Sequence, residues 1–331
     1  MDLPRIAPML ATAGVLPPAR QDAEWAFETK QDGQRAIFYV AGDGTLLVRS
    51  RSGEDVSAAY PELAPLGRAL PAGRTAVLDG EIVMLDENGH SDFARLQPRF
   101  GLAASPARAR QLAARDPVHA VLFDVVFLEG RLLTGRSWAQ RRQELEGLAL
   151  NGPTWSTPGA LVGHGETALR ATREHGLEGL VCKRITSRYE PGERSRHWIK
   201  IRNMRTADIV VGGWMPGGGR LSGLPGSVLM GQRHAGGLRY VGSVGTGWSE
   251  AERADLARLL YAAEIDECPF SEVPPAAGAR AHWVLPRLVG EVRYAVRTRA
   301  GMLRQPSWLR LRPDLTPEES AADFEGGATG P

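Results

Sequence analysis

Only three lysines occur in this chain of 331 residues, although lysine and arginine together number 40, which leaves 37 arginines. Lys30, Lys183 and Lys200 lie in the short motifs E-T-K-Q-D-G-Q-R, E-G-L-V-C-K and W-I-K-I-R. Arginine serves a salt bridge or a phosphate contact as well as lysine does, but a guanidinium stays charged and cannot attack as a nucleophile. The distribution therefore predicts that these three positions need an amine or an ammonium group. Codon bias explains the arginine excess, but not the places of the three lysines.

The motif around Lys30 has the composition of a nucleophilic site. A lysine can attack the α-phosphorus of a nucleotide and form a phosphoramidate when its amine is neutral, which burial or nearby cations favour. Asp32 can orient the amine or help hold a metal ion, and Gly33 permits a tight turn with close backbone approach. Arg35 can reach a ribose or a phosphate. The alternative is a strand end with a surface salt bridge, because short motifs recur by chance.

Further motifs follow Lys30 in a fixed order. They are S-R-S-G at residues 50–53, L-D-G-E at 78–81, F-D at 123–124, E-G-L-V-C-K at 178–183 and W-I-K-I-R at 198–202. This set and order resemble the covalent nucleotidyltransferase superfamily of DNA ligases, RNA ligases and mRNA capping enzymes. Within it the chain is most similar to ATP-dependent DNA ligases, in particular the small bacterial enzymes of end joining and repair. The resemblance covers nearly the whole chain.

This resemblance implies roles at the nucleotide. Lys30 would be the nucleophile that becomes adenylated. Arg35 and Glu81 would hold the ribose, the guanidinium as a donor and the carboxylate as an acceptor. Glu28 and Thr29 would flank the pocket for the base, with the backbone there reading the adenine amino group.

The remaining roles implied by the resemblance concern the base, the metal and the phosphates. Phe123 would stack on adenine, although an ordinary core phenylalanine is the alternative. Glu178, with Asp32, would bind Mg²⁺, a hard cation suited to oxygen ligands. Lys183 and Lys200 would face the α-phosphate and neutralise charge as pyrophosphate leaves.

Two more elements follow from the resemblance. Arg51 would meet the 5′-phosphate side of a DNA nick. The family's C-terminal motif usually has the sequence R-x-D-K and is thought to close over ATP. In this chain its positions are occupied by Arg312, Pro313, Asp314 and Leu315. Because Leu315 replaces the lysine, we expect it to affect the efficiency of self-adenylation unless Arg304 or Arg310 substitutes.

Composition indicates a soluble globular protein of two domains, with 43% hydrophobic and 24% charged residues. No apolar run suits a membrane span, and no basic or apolar leader begins the chain, so we expect a cytoplasmic protein. Cys182 and Cys268 form neither a disulfide framework nor a metal-ligand spacing. No separate DNA-binding domain is expected before the catalytic core.

The order of the predicted elements indicates an α+β fold. Residues 1–201 are expected to form a nucleotidyltransferase domain with ATP-grasp-like mixed sheets, because predicted strands at 24–40, 44–49, 75–85 and 120–128 do not alternate regularly with helices. Helices are predicted at 61–70 and 137–148, and a polar turn at 189–196.

Residues 202–315 are expected to form an OB-fold barrel, because several short strands there are separated by glycine-rich turns and accompanied by one helix near 250–263. We expect residues 316–331 to form a flexible tail. Between residues 280 and 312 eight arginines and one acid are interleaved with aromatic residues, which suits a nucleic-acid surface or an ordinary solvated face.

The prediction is an ATP-dependent DNA ligase that uses ATP and Mg²⁺, with Mn²⁺ as a possible replacement, on nicked duplex DNA. We expect a monomer that works with end-joining or repair proteins and binds no membrane. An RNA ligase and a GTP-dependent capping enzyme are alternatives that share the lysine chemistry. A non-catalytic OB-type nucleic-acid-binding protein is an alternative of another class, favoured only by Leu315.

Overall fold

The computed structural model describes residues 3–234, 236–272, 280–298 and 300–321. The chain divides into two compact units, Met1–Asn203 and Met204–Pro331, so the division falls two residues after the expected one. Among the described residues no helix combines the length and the apolar character needed to cross a bilayer.

The first unit contains two mixed sheets. Its strands are β1 (Leu10–Ala13), β2 (Trp25–Thr29), β3 (Gln34–Val40), β4 (Leu46–Ser50), β5 (Ala76–Val83), β6 (His119–Leu128), β7 (Arg131–Leu132), β8 (Trp155–Ser156), β9 (Leu161–Val162), β10 (Gly179–Arg184) and β11 (Arg194–Arg202). One sheet has the order β1-β11-β10-β2-β9; the other has the order β4-β3-β5-β6-β7, with β8 paired to β6. The predicted strand at 24–40 is therefore two strands in different sheets, joined by a turn that contains Lys30.

Four α-helices and several 3₁₀ turns complete this unit. The α-helices are α1 (Phe93–Leu96), α2 (Pro106–Arg115), α3 (Trp138–Gly147) and α4 (Gly165–Glu174), and the 3₁₀ helices are Ala19–Glu24, Ser57–Ala59, Pro61–Arg68, Gln97–Arg99 and Leu102–Ala104. The predicted helix at 137–148 is confirmed as α3, which begins at a capping box of Ser137 and Gln140. The helix predicted at 61–70 is found as a 3₁₀ helix at Pro61–Arg68, in which Pro65 lacks the N–H that an α-helix needs.

The β4-β3-β5-β6 sheet is buried on one face against helices. Phe38 of β3, Leu78 of β5 and Leu122 of β6 are fully buried together with Leu63 and Leu145 from the helices. Each such side chain contributes roughly 1.5–3 kcal/mol through removal of apolar surface from water. This core makes β3 and β5 a rigid base for the polar residues on their other face.

The second unit is an OB-type barrel, which confirms the expected fold class. Its strands are β12 (Arg205–Pro216), β13 (Pro225–His234), β14 (Gly237–Val244), β15 (Glu264–Ile265), β16 (His282–Val284), β17 (Val289–Tyr294), β18 (Val296–Arg297), β19 (Leu303–Arg304) and β20 (Ser307–Leu311), with helix α5 (Glu250–Ala262) and a 3₁₀ turn at Gly219–Leu221. Strands β14, β13, β12, β17 and β20 pair in that order. The Trp308 N–H of β20 donates to the Thr246 carbonyl after β14 over 2.8 Å, which joins the two ends of the sheet. The predicted helix at 250–263 is confirmed, with its Ser249–Glu252 capping box.

The arginine-rich run of this unit is partly engaged in structural pairs. Arg310 pairs with Glu291 at 2.7 Å, and Arg297 donates to Gln232 at 2.8 Å. Residues 316–321, expected to belong to the tail, instead end in a 3₁₀ turn at Glu319–Ala321 with Ser320 buried. The rest of the expected tail, residues 322–331, lies outside the described residues.

Candidate active site

A cleft in the first unit brings together the three lysines of the chain. The space inside it, together with the open solvent at its mouth, is about 860 Å³. Its lining residues are Leu10, Ala11, Glu28, Thr29, Lys30, Gln31, Arg35, Arg51, Glu81, Phe123, Val181, Lys183, Arg194, Trp198 and Lys200.

Strand register explains why these side chains share one face. Val181 of β10 lies opposite Glu28 of β2 on one side and opposite Lys200 of β11 on the other. Directly opposed residues in an antiparallel pair point to the same face, and so do residues two apart along a strand. Lys183, opposite Trp198, therefore faces the cleft as well. The intervening Cys182 points to the other face and is buried in an apolar cluster, where burial raises the pKa of its thiol to about 12.

Two glycines allow the backbone to pass closely beside Lys30. A Cβ on Gly33 would lie 2.1 Å from the carbonyl oxygen of Ile82, and one on Gly179 would lie 2.0 Å from that of Ile201. Gly179 also has a φ of 144°. Its carbonyl accepts a hydrogen bond from the Lys30 N–H over 2.9 Å, so β10 fixes the start of the turn after β2. Any larger residue at either position would therefore clash with the neighbouring backbone, so both motifs need glycine there.

Arg35 is held by a buried carboxylate under the cleft. Its Nε and a terminal nitrogen donate to the two oxygens of Asp79 over 2.6 and 2.7 Å, and Asp79 is fully buried. The guanidinium lies 4.6 Å from the centre of the Phe123 ring. Burial alone would lower the pKa of Arg35, but Asp79 outweighs it and raises that pKa. Arg35, which also donates to the Met9 carbonyl over 3.1 Å, is therefore a fixed cation that lines the cleft.

Glu81 lies beside Arg35 on the neighbouring strand, since the two residues are register partners of β3 and β5. Burial raises the pKa of Glu81 to about 7, and the charges of Arg35 and Lys30 oppose this shift only in part. A carboxyl group that titrates near neutrality next to a fixed cation is typical of a binding or catalytic site.

The Lys30 amine is in contact with Glu178. Its Nζ forms an ion pair with Glu178 and donates to the Gln31 carbonyl over 3.1 Å. Glu178 also lies 3.5 Å from Arg202. Burial raises the pKa of Glu178, Lys30 lowers it, and the charge of Asp32 raises it again, so Asp32 is close enough to act on this carboxylate.

Glu178 and Asp32 are carboxylates of the kind that Mg²⁺ prefers. Within the described residues no group of three or more His, Cys, Asp or Glu side chains is placed to hold a metal ion. These two side chains therefore suit a cation that keeps water or phosphate oxygens as its other ligands.

Lys183 is buried in the floor of the cleft. Its Nζ lies 2.7 Å from Glu28 Oε2 and 4.4 Å from the ring centres of both Phe123 and Trp198. Burial lowers the pKa of Lys183, while Glu28 and Asp124 oppose this shift. Its ammonium thus has a carboxylate partner beside the two aromatic rings.

A second part of the cleft, around Lys200, contains several cationic side chains. Burial lowers the pKa of Lys200, and the charges of Arg202, Lys30, Arg194 and Arg51 lower it further. Each of these four groups therefore lies within electrostatic reach of Lys200. Such a cluster suits a multiply charged anion.

Nine of the predicted site residues line the cleft, and four do not. Those that do are Glu28, Thr29, Lys30, Arg35, Arg51, Glu81, Phe123, Lys183 and Lys200. Asp32 and Glu178 flank Lys30 as described. Arg312 and Asp314 belong to the second unit, where Arg312 pairs with Asp314 at 2.8 Å and with Asp208 at 3.0 Å.

Several cleft residues were not predicted. Leu10, Ala11 and Arg194 reach the cleft because β1 pairs with β11 in parallel, and Arg194 donates to the Ala11 carbonyl over 2.9 Å. Trp198 was recognised only as part of a motif. No local sequence pattern predicts that β1 and β11, which lie far apart in the chain, pair with each other.

Comparison with known proteins shows the family of this chain. The family model for the ATP dependent DNA ligase domain matches residues 8–202, and the model for the ATP dependent DNA ligase C terminal region matches residues 222–315. The multifunctional non-homologous end joining protein LigD of Mycobacterium bovis is 44% identical over 317 residues, which make up 95% of this chain and 39% of that protein. The chain thus spans about two fifths of the length of this relative.

Other relatives include a DNA ligase and two solved structures. The DNA ligase of Thermococcus onnurineus is 31% identical over 90% of this chain and 53% of that enzyme. The crystal structure of the ligase domain of M. tuberculosis LigD matches with a TM-score of 0.55 at 40% identity, over 95% of this chain and 97% of that one. A mycobacterial DNA ligase D complexed with ATP and MES matches with the same values. This chain therefore belongs to the ATP-dependent DNA ligase family.

Proposed function

We propose that this chain seals nicks in duplex DNA through a covalent lysyl-AMP intermediate formed from ATP. One observation supports the proposal: Lys30 lies in a cleft with two different parts. One part, the floor, is lined by aromatic and acidic side chains, and the other part is lined by several cations. These two parts match a nucleobase and a polyphosphate. Family membership supports the same chemistry.

In the first step the neutral Nζ of Lys30 donates its lone pair to the α-phosphorus of ATP. A P–N bond forms, the bond from this phosphorus to the bridging oxygen breaks, and the amine loses a proton as pyrophosphate leaves. Because Lys30 is paired with Glu178 as an ammonium, it must leave this pair and give one proton to the solvent before the attack. Lys200 and its neighbouring cations neutralise the charge on the departing group.

The nucleotide is oriented by groups that flank Lys30. We propose that the base lies against Phe123 beside Glu28 and Thr29. The backbone at these two residues would recognise the amino group of adenine. Arg35 and Glu81 bind the ribose hydroxyls, since a fixed guanidinium donates and an ionised carboxylate accepts. Positioning of this kind supplies most of the rate enhancement in phosphoryl transfer, because little acid or base chemistry is needed.

Glu178 and Asp32 are the residues proposed to hold Mg²⁺, with Mn²⁺ as an alternative ion. When bound, such an ion polarises phosphate oxygens and neutralises their charge. The protein contributes Glu178, which is paired with Lys30, and Asp32, whose charge acts on Glu178.

In the later steps AMP and then the DNA strand are transferred. An oxygen of the 5′-phosphate attacks the AMP phosphorus, the P–N bond breaks, and Lys30 regains its proton. The 3′-hydroxyl then attacks the DNA phosphorus, its proton is lost, and AMP leaves as the strand is joined. We propose that Arg51 contacts the 5′-phosphate, and that Arg312 and Asp314 take part in self-adenylation.

The biological setting is also a proposal. The names of the mycobacterial relatives point to non-homologous end joining, and those proteins are much longer than this chain. We therefore propose that the chain acts in DNA end joining in the cytoplasm, as a monomer recruited by other repair proteins. Its affinity for DNA would fall strongly as the salt concentration rises, because arginine contacts to phosphates release counterions from the DNA.

Incubation with α-labelled ATP, and separately with α-labelled GTP, tests the first step. We expect acid-labile label on the protein from ATP, and none in Lys30→Ala or Lys30→Arg. Lys30→Arg is the sharper control, since it keeps the cation but cannot attack. Label from GTP alone would indicate a capping-type enzyme.

Sealing assays with matched nicks in DNA and in RNA separate a DNA ligase from an RNA ligase. We expect joining of the DNA nick at a rate well above that of the RNA nick. Failure to label and failure to seal a nick that already carries AMP would together leave only a nucleic-acid-binding role.

A further inference from the structure

The turn after β4, residues 50–53, is surrounded by guanidinium groups. It is closed by the Gly53 N–H, which donates to the Ser50 carbonyl over 2.8 Å, and Arg49 donates to the Gly53 carbonyl over 2.7 Å. A Cβ on Gly53 would lie 3.0 Å from a terminal nitrogen of Arg5. The glycine therefore leaves the space in which Arg5, from the N-terminal segment, lies against the turn.

The main chain around Arg5 is held on the sheet. Leu3 and Ile6 pack against the buried cluster that contains Tyr39. The Tyr39 hydroxyl accepts from the Ile6 N–H over 3.2 Å and donates to the Ile6 carbonyl over 3.4 Å. The Arg5 side chain is nevertheless exposed. Its backbone is thus fixed beside the turn, while its guanidinium stays accessible to a ligand.

The cations at this turn lack acidic partners. Within the described part of the chain, Arg5, Arg49 and Arg51 form no ion pair with an aspartate or a glutamate, although Glu54 follows the turn directly. Arg51 also acts on Lys200 in the cleft, since its charge helps to lower the pKa of that lysine. The cationic surface therefore continues from the cleft past Arg51 to Arg5. A row of cations that no acid neutralises suits a chain of phosphates.

We propose that Arg5 binds the second phosphate of the DNA strand whose 5′-phosphate lies at Arg51, which is the phosphate that joins the first two nucleotides after the nick. This inference rests on the proposed function, because it takes the 5′-phosphate to lie at Arg51. Phosphate contacts fix the register of a protein on DNA and carry no sequence information. Arg5 therefore serves any base sequence and sets the direction in which this strand leaves the cleft.

The test combines Arg5→Ala with a chemical change in the DNA. A methylphosphonate removes the charge of one phosphate, and it would be placed in turn at each of the first few phosphates after the nick. Dissociation constants would be measured by fluorescence anisotropy on a nicked duplex with a dideoxy 3′ end, which cannot be joined. For Arg5→Ala we expect binding of the unmodified duplex to weaken by about tenfold at low salt. The slope of log Kd against log salt concentration should fall by about 0.9.

The two changes should be coupled at one position only. We expect the methylphosphonate at the second phosphate to weaken binding by the wild type but to have little effect on Arg5→Ala, because the contact that it removes is already lost. At the other positions the two effects should add. Arg173→Ala is the control, since Arg173 is exposed on α4, which packs on the face of the sheet that carries Cys182 and points away from the cleft. This variant should bind every duplex as the wild type does.

Additive effects at every position, or an unchanged salt slope in Arg5→Ala, would overturn the inference. The wild type alone provides a second measurement that does not depend on the folding of a variant. If the methylphosphonate at the second phosphate leaves its affinity unchanged, Arg5 binds no charge there and the inference is wrong.

Labelling of Lys30 by ATP and sealing of the unmodified nick separate this inference from the proposed function. Normal labelling and sealing by the wild type, together with additive effects of the two changes, would refute the role of Arg5 alone. Absence of both label and sealing in the wild type would refute the proposed function, and the inference with it.

Discussion

The hydroxyl of Tyr189 donates a hydrogen bond to Asp79 Oδ2 over 2.5 Å, beneath the cleft that contains Lys30. The same hydroxyl accepts from the Met9 N–H over 3.0 Å, and Asp79 receives the bidentate contact of Arg35. Burial, followed by the charge of Asp79, raises the pKa of Tyr189 well above its ordinary value, so it remains a donor. Tyr189 thereby fixes the carboxylate that fixes Arg35.

Tyr189→Phe should raise the KM for ATP in self-adenylation several-fold and change the rate at saturating ATP less. The loss of one hydrogen bond to a charged acceptor should also lower the free energy of unfolding by about 1.5–3 kcal/mol. Tyr39→Phe is the control, since within the described part of the chain the Tyr39 hydroxyl forms its hydrogen bonds with the backbone of Ile6. If both variants keep the wild-type KM, Asp79 does not need Tyr189 to position Arg35.

The buried pair of Arg141 and Asp124 should be costly to break. Its two contacts are 2.8 and 2.9 Å long, and neither side chain is more than 1% exposed. Asp124→Ala should lower the free energy of urea unfolding by about 3–5 kcal/mol, because it leaves a buried charge unpaired. Arg74→Ala breaks an exposed pair with Glu129 and should cost less than about 1 kcal/mol. Equal losses in the two variants would argue against a special cost of burial.

Glu81 should make stability depend on pH. Its pKa rises on folding from 4.5 to about 7, so between these values the folded protein binds more protons than the unfolded chain. The contribution of Glu81 to stability therefore falls as pH rises through this window, by at most about 3 kcal/mol.

Glu81→Gln should remove this pH dependence and raise the free energy of unfolding at pH 8, while weakening ATP binding. Urea melts of both proteins at pH 5 and pH 8 would measure the difference. If the wild type and Glu81→Gln lose the same free energy of unfolding between pH 5 and pH 8, a group other than Glu81 is responsible.

Gly33→Ala should abolish self-adenylation, because the added Cβ would meet the Ile82 carbonyl at 2.1 Å and displace the turn after Lys30. Gly135→Ala is a matched control, since a Cβ there meets nothing within 4 Å. We expect the control to label from ATP at the wild-type rate. Normal labelling of Gly33→Ala would mean that the turn can shift without loss of function.

Leu315→Lys restores the lysine that the family's C-terminal motif usually has, and should speed self-adenylation by about tenfold through added charge stabilisation. Leu315→Met controls for the change of side-chain shape without charge. Single-turnover labelling by ATP measures both. No acceleration would be expected if Arg304 or Arg310 already supplied this charge, although Arg310 is paired with Glu291.

Local sequence patterns predicted several of the regular elements. The apolar run at 120–128 is found as β6, and the helices predicted at 137–148 and near 250–263 are found as α3 and α5. Helices α1, α2 and α4 were not predicted. The predicted polar turn at 189–196 runs into β11, because Arg194 and Ser195 pair with β1, which lies far away in the sequence.

The residues of the cleft were predicted better than their partners. Motif order identified Glu28 and Lys183, but their ion pair depends on the register of β2 and β10, which no motif specifies. The same holds for Tyr189 and Asp79, which are 110 positions apart. Pairings that depend on long-range strand register cannot be inferred from local residue types.

The protein has few primary amines, and because all three lysines line one cleft, most of them lie at one place. Apart from the α-amino group, its only primary amines are the side chains of Lys30, Lys183 and Lys200. Lys183 is only 1% exposed, so besides the α-amino group an amine-selective reagent addresses two amines, which lie in one cleft. Protection of these two amines would report occupancy of the cleft by mass spectrometry, without a probe or a substitution.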